Sequence, residues 1–171
     1  YVGGKSKDVE IGNCWLDHGR RQGISITYAD DVTIRDCKIT NIAGTAPEYA
    51  IDIEPNGGNA VDRILIERVI TKDCKGGIGV NKNAGDAKIG SVIIRDCNVS
   101  AVRKAMANLN LCDTVVIENC DLTQKLGQRG IVCKNNGFAL IRNNKVRYHN
   151  GIVLWMWDFA RKIKGRERAI P

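Results

Sequence analysis

Short runs of alternating apolar residues recur along this chain in one frame. They read Val9-Glu-Ile11-Gly-Asn13-Cys14-Trp-Leu16, Val32-Thr-Ile34-Arg-Asp36-Cys37-Lys-Ile39 and Ile64-Leu-Ile66-Glu-Arg68-Val69-Ile-Thr71. The frame returns as Val92-Ile-Ile94-Arg-Asp96-Cys97-Asn-Val99, Val115-Val-Ile117-Glu-Asn119-Cys120-Asp-Leu122 and Ala139-Leu-Ile141-Arg-Asn143-Asn144-Lys-Val146. Period-2 alternation on both sides of a two-residue break is the signature of two short strands, each with one face on a core. The residue before positions 14, 37, 69, 97, 120 and 144 is Asn or Asp in five of the six copies. Those residue types tolerate a left-handed backbone, so the break reads as a corner between two sheets.

The position after the corner advances by 23, 32, 28, 23 and 24 residues, near the length of one solenoid turn. A third apolar run follows a variable connection in each copy, at residues 23–26, 50–53, 77–80, within 105–111, 130–133 and 151–154. Three strands per turn, stacked in parallel, predict an all-β fold: a right-handed, single-stranded parallel β-helix of about six coils and three parallel sheets, spanning residues 1–154. Residues 155–171 are expected to form a cap and a basic tail. Trp155, Phe159 and Ile163 are spaced by four, as on one face of a short capping helix.

The alternation assigns faces. Val, Ile and the column Cys14, Cys37, Cys97 and Cys120 point inward, as small buried packing units. Arg35, Glu67, Arg95, Glu118 and Arg142 stack outward with alternating sign, which supports the register more than it stabilises. A second outward column, Thr33, Leu65, Ile93, Val116 and Leu140, is largely apolar. It is expected to be covered by another segment or a partner chain, and side-by-side trimerisation is one candidate.

Composition narrows the classes. Seven cysteines at coil-like intervals, with only two histidines, fit neither a disulfide framework nor a zinc site and predict reduced thiols and folding in a cytoplasm, with the final location open. No apolar run approaches the roughly 18 residues of a membrane helix, and no secretory signal opens the chain. Tyr1 already stands in repeat-like sequence, so a piece of a larger protein is expected. The net charge of +7 favours an anionic partner. The basic run at residues 161–168 lacks the aromatic interleaving of a nucleic-acid site, leaving nucleic acid as the weakest partner reading.

The longest polar connections, residues 17–22 and 40–49, lead into third strands, where a groove along the helix axis is expected to carry chemistry. Asp52 and Glu54 must face outward because Ile51 and Ile53 fill the core. Carboxylates at i and i+2, with Cβ atoms roughly 6.5 Å apart, suit general acid and base work on a glycosidic bond. Around them Asp17, His18, Arg20 and Arg21 offer a polar loop whose guanidinium groups could clamp a sugar carboxylate or sulfate. Glu48 and Tyr49 enter the same strand as Asp52. Asn81, Lys82, Lys134 and Trp155 continue the face, with Trp155 as a sugar platform or part of the cap. Asp30-Asp31 and Asp86 are too few and scattered for a calcium site, and no metal or cofactor is expected.

The coil pattern resembles the single-stranded right-handed β-helix superfamily of pectate lyases, polygalacturonases and bacteriophage tailspikes or appendages. The stretch Arg20-Arg-Gln-Gly-Ile-Ser-Ile26 followed by Ala50-Ile-Asp-Ile-Glu-Pro-Asn56 looks like segments of phage-type β-helix proteins that depolymerise polysaccharides. That resemblance implies a glycoside hydrolase acting on a polysaccharide, expected to be anionic, with Asp52 and Glu54 as its catalytic carboxylates. Tyr49-x-x-Asp52 is also similar to the Tyr-x-x-Asp-Pro-His-Glu motif of mannuronan epimerases, but Glu54 stands where that family has histidine. A non-catalytic glycan-binding spike or fibre segment is the alternative, and a lyase or epimerase the next.

Overall fold

A computed structural model describes residues 1–83, 85–127, 129–148 and 152–157. It is all-β, a parallel solenoid of about six coils with three parallel six-stranded sheets. The first sheet stacks β1 (Ser6–Gly12), β4 (Ala29–Arg35), β7 (Ala60–Glu67), β10 (Lys88–Arg95), β13 (Cys112–Glu118) and β16 (Phe138–Arg142). The second stacks β2 (Trp15–Asp17), β5 (Lys38–Thr40), β8 (Ile70–Cys74), β11 (Asn98–Ala101), β14 (Asp121–Gln124) and β17 (Lys145–Tyr148). The third stacks β3 (Ile24–Ile26), β6 (Tyr49–Ile53), β9 (Gly76–Val80), β12 (Ala107–Asn110), β15 (Arg129–Lys134) and β18 (Ile152–Trp157).

The repeat frame sets this register. Val9, Val32, Ile64, Val92, Val115 and Ala139 stand side by side, one coil after another. Every corner residue, Asn13, Asp36, Arg68, Asp96, Asn119 and Asn143, has a positive φ between 49° and 55°. Arg68 is the exception in type, and its guanidinium donates to both carboxylate oxygens of the neighbouring corner residue Asp36, at 2.8 and 2.9 Å. The core is a stack of Val and Ile from all three sheets, with Ile34, Ile66 and Ile117 fully enclosed. Thr71 interrupts the inner column of the second sheet, yet its hydroxyl donates to Ser100 O and accepts from Ser100 N, so the core holds no unpaired group there.

All seven cysteines are unpaired thiols. Sγ of Cys37, Cys97 and Cys120 each donates weakly to the carbonyl two residues back. In the sixth copy Asn144 takes the cysteine position, and its amide accepts from Cys120 N and donates to Ile117 O, both at 2.8 Å. At the carboxyl end Trp155 lies on strand β18 rather than on a helix, because its alternation continues the third sheet beside β15. Phe159, Ile163 and the basic run fall outside the described residues. No helix among those described is long and apolar enough to cross a membrane.

Candidate functional site

The third sheet's outer face carries the column Ser25, Asp52, Gly79, Asn108, Val132 and Trp155, one residue per coil. Asp52 points outward because Ile51 and Ile53 on either side are fully buried. Outward here does not mean solvated: Asp52 is only 5% exposed. Gln22 arrives from the loop before β3 and donates Nε2 to Asp52 Oδ2 at 2.8 Å. Tyr49 lies along the next coil, its ring against Gly76 and Gly79. A Cβ on Gly76 would sit 2.5 Å from Tyr49 Cδ1, and one on Gly79 2.7 Å from Cδ2. The two glycines therefore make the bed in which the ring rests. The Tyr49 hydroxyl accepts from Asn108 Nδ2 at 3.2 Å, and the Lys104 ammonium stands 5.5 Å from the ring centroid.

Burial pushes the Asp52 carboxyl up to about 6; the Gln22 hydrogen bond opposes this, the Glu54 charge adds to it, and Arg21 and Lys104 pull the other way. A carboxyl group poised there holds its proton in mildly acidic water and yields it near neutrality. Burial likewise raises the Tyr49 phenol, against the Asn108 hydrogen bond and with the Asp52 charge.

The groove opens on both sides of this pair. Toward the amino-terminal coils a cleft of about 390 Å³ is lined by Arg21, Gln22, Ser25, Glu54, Asn56 and Asn83. Toward the carboxyl-terminal coils a pocket of about 600 Å³ is lined by Arg103, Lys104, Asn108, Leu126, Arg129 and Val132, among others. Between them Asp52 and Tyr49 form the waist.

The residues expected from sequence divide accordingly. Asp52, Glu54, Arg21 and Tyr49 come together at the waist and in the first cleft. Asn81 is exposed beside Glu54, its N–H donating to Ile53 O, and Lys82 follows it half-buried. Lys134 and Trp155 meet at the far end, with the ammonium 5.8 Å from the indole. Arg20 is exposed instead against the following coil's loop, where Gly44 runs close to its side chain and Thr45 N donates to its carbonyl at 2.8 Å. Asp17 and His18 belong to the second sheet: Asp17 accepts from Thr40 and Asn41 and pairs with His18 at 2.7 Å. Thr40's hydroxyl, then Asn41, bring the Asp17 carboxyl down to about 2.

Glu48 is enclosed, 4% exposed, and fixed by Lys75 at 2.7 Å, Lys104 at 3.4 Å and the Gly44 N–H at 3.0 Å. Chiefly through Lys75, its carboxyl is held down at about 2. Glu48 anchors Lys104 rather than facing a ligand. Asp30 and Asp31, weighed for calcium, are both taken by Arg63. Among the described residues no group of three or more His, Cys, Asp or Glu could hold a metal ion.

Gln22, Asn108, Arg103, Lys104 and Arg129 are the site residues that sequence reasoning missed. A usable signal existed for the cations, since Arg103-Lys104 precede a third strand as Arg20-Arg21 do and Arg129 opens one. The fourth coil hid it, because its third strand has no clear alternation by which to set the register.

No family model matches the chain, and no solved structure matches it. A curated protein, the uncharacterized protein YclG of Bacillus subtilis (strain 168), is 42% identical over 60 residues, which are 33% of this chain and 10% of that protein. The match thus spans about a tenth of YclG's length.

Proposed function

We propose that this chain is the catalytic segment of a polysaccharide depolymerase of the phage-tailspike type, a glycoside hydrolase with Asp52 as general acid and Glu54 as general base. The observation that carries the reading is a carboxyl group on the outside of a solenoid that is nevertheless enclosed, hydrogen-bonded to Gln22 and within the electrostatic reach of Tyr49, at the waist of a long groove. Core packing does not require an acid at that position. In the reaction Asp52 protonates the glycosidic oxygen as the bond to the anomeric carbon breaks. Glu54 takes a proton from the water whose oxygen joins that carbon. Residues at i and i+2 place their Cβ atoms roughly 6.5 Å apart, compatible with the about 6.5–9.5 Å carboxyl separation that leaves room for such a water. The raised Asp52 carboxyl keeps the acid protonated up to about pH 6, so activity falls above that value.

The same enclosure favours one second reading, a groove that binds glycan without cleaving it, because a side chain 5% exposed needs Gln22 or Tyr49 to shift before it reaches a substrate. Incubation with a panel of bacterial capsule, wall and plant polysaccharides separates the readings. Reducing ends without ultraviolet-absorbing products support hydrolysis; unsaturated products would move the assignment to a lyase. Asp52→Asn and Glu54→Gln are each expected to lower kcat by about 10²–10⁴ with unchanged circular dichroism. Full cleavage by both variants would remove the carboxylates from the mechanism, and saturable binding without product would leave a binding module.

A further inference from the structure

The pocket between β12 and β15 holds three cations, Arg103, Lys104 and Arg129, and none of its described lining residues is acidic. It lies on the same outer face as Asp52, two strand steps along from β6 to β12, or about 10 Å along the axis. Its position places it where a sugar chain crossing Asp52 would next arrive.

The floor is built before any ligand comes. Arg103 N and Lys104 N both donate to Lys75 O, at 3.0 and 2.7 Å. The Lys104 carbonyl accepts from Gln124, and the Lys104 ammonium donates to Pro47 O at 2.5 Å. Gly127 passes so close that a Cβ there would lie 2.5 Å from Arg103 O, and its own carbonyl accepts from the Tyr148 hydroxyl at 2.8 Å. The cationic turn is therefore fixed by backbone contacts from neighbouring coils rather than left as a mobile surface loop.

The charge is only partly neutralised. Glu48 is one carboxylate set against two ammonium groups, Lys75 and Lys104. Arg129 lies on the Trp155 ring, its central carbon 3.7 Å from the ring centroid. Stacking uses the flat face of a guanidinium, and its hydrogen bonds lie in the plane. The indole thus holds Arg129 in place and leaves its N–H edge to pair side-on with an anion. Asn108, which donates to Tyr49, also lines this pocket and links it to the waist.

We infer that this pocket is a subsite for an anionic substituent, a carboxylate or a sulfate, on a sugar unit away from the scissile bond, recognised by Arg103, Lys104 and Arg129. The inference rests on reading the groove as a polysaccharide site, and it makes the substrate an acidic polymer selected at a distance from the reacting carbons.

Isothermal titration with hexameric oligouronates, their carboxyl-reduced counterparts, and sulfated and desulfated oligosaccharides of one backbone tests it, with product release followed in the same samples. Wild-type protein is expected to bind one anionic series at least about tenfold more tightly than its neutral partner, with an affinity that weakens as salt rises. Whether the uronate or the sulfated arm shows this identifies the substituent. Arg103→Ala/Arg129→Ala is expected to lose that preference while keeping its circular dichroism and its affinity for the neutral oligomer. Equal binding of charged and neutral oligomers by wild type, or an undiminished preference in the double variant, overturns the subsite. Cleavage of a neutral oligomer with no anionic preference sinks the subsite and leaves the hydrolase. Anionic preference without cleavage keeps the subsite and sinks the hydrolase.

Discussion

The first and third sheets turn their outer faces to solvent in opposite ways. On the first, outward carboxylates find cations one coil away: Glu67 meets Arg95 at 2.7 Å, Glu118 meets Arg142 at 2.7 Å, and Glu10 meets Arg35 at 2.7 Å, while Glu67 also pairs with its chain neighbour Arg68 at 3.0 Å. Arg95 in particular holds the buried Glu67 carboxyl below the usual range. On the third, Asp52 is as little exposed as Glu67, yet its hydrogen bond comes from a neutral amide and the largest influence of a neighbouring charge on it is that of another carboxylate, Glu54. Desolvation inside the surrounding protein raises Asp52 above all else, whereas the Arg95 hydrogen bond outweighs desolvation at Glu67, so the two acids move in opposite directions. Where evolution of a repeat only needs register, charges alternate and cancel; a buried acid left without a cation costs stability and marks a place kept for another reason.

The largest effect that would sharpen this contrast is at Asp52 itself. Its carboxyl titrates at about 6 in the fold against 3.8 unperturbed, so the folded state binds the proton more tightly than the unfolded chain. Below about pH 4 both states are protonated and the acid costs nothing. As pH rises toward 6 the unfolded chain ionises first, and above it the penalty is complete, roughly 3 kcal/mol for a two-unit shift. Asp52→Asn removes the charge, and Gln22 can turn its amide to accept from the new one. Denaturant unfolding should find this variant more stable than wild type by about 2–3 kcal/mol at pH 8, and indistinguishable from it at pH 3.5. A variant less stable than wild type at pH 8 would mean that Asp52 is satisfied in the fold, and the comparison would collapse.

What the sequence disclosed follows the same division. The solenoid was legible because each coil repeats one frame, and even the odd corner, Arg68, keeps the backbone of its Asn and Asp counterparts at φ 49°. Asp52 and Glu54 were legible because alternation forced them outward. Their cover was not: Gln22 comes from a loop of irregular length, and the bed for Tyr49 depends on Gly76 and Gly79 one coil later. Asp17 and His18 were misplaced for a related reason. They lie close in sequence to Arg21, but the chain turns between them, so Asp17 ends beside Thr40 on the second sheet. Distance along a loop says little about which sheet a side chain joins.

A middle-sized effect is expected at Glu67. Glu67→Ala removes a carboxylate 6% exposed and leaves Arg68 and Arg95 without it, at a cost of about 1–2 kcal/mol near pH 7. Because the Glu67 carboxyl is held low by Arg95, its contribution is present above about pH 4.5 and fades as the acid protonates below that. Unfolding of wild type and variant at pH 7 and pH 3 measures both. Loss of the same size at pH 3 would mean that packing, not charge, is what Glu67 supplies.

The smallest effect belongs to Glu118 and Arg142, the same pairing two coil boundaries on but closer to water. Arg142's side chain is 58% exposed and Glu118's 16%, against 43% and 8% for Arg95 and Glu67. Exposure weakens the Coulomb attraction and raises the entropy lost in holding a long side chain. A double-mutant cycle of Glu118→Ala and Arg142→Ala should give a coupling of about 0.5 kcal/mol or less, fading in molar salt. The Glu67–Arg95 cycle should give the larger coupling and keep more of it in salt. If the exposed pair couples as strongly as the enclosed one, burial does not set the strength of these ladders, and the neutral hydrogen-bond partner of Asp52 loses its meaning as a sign of function.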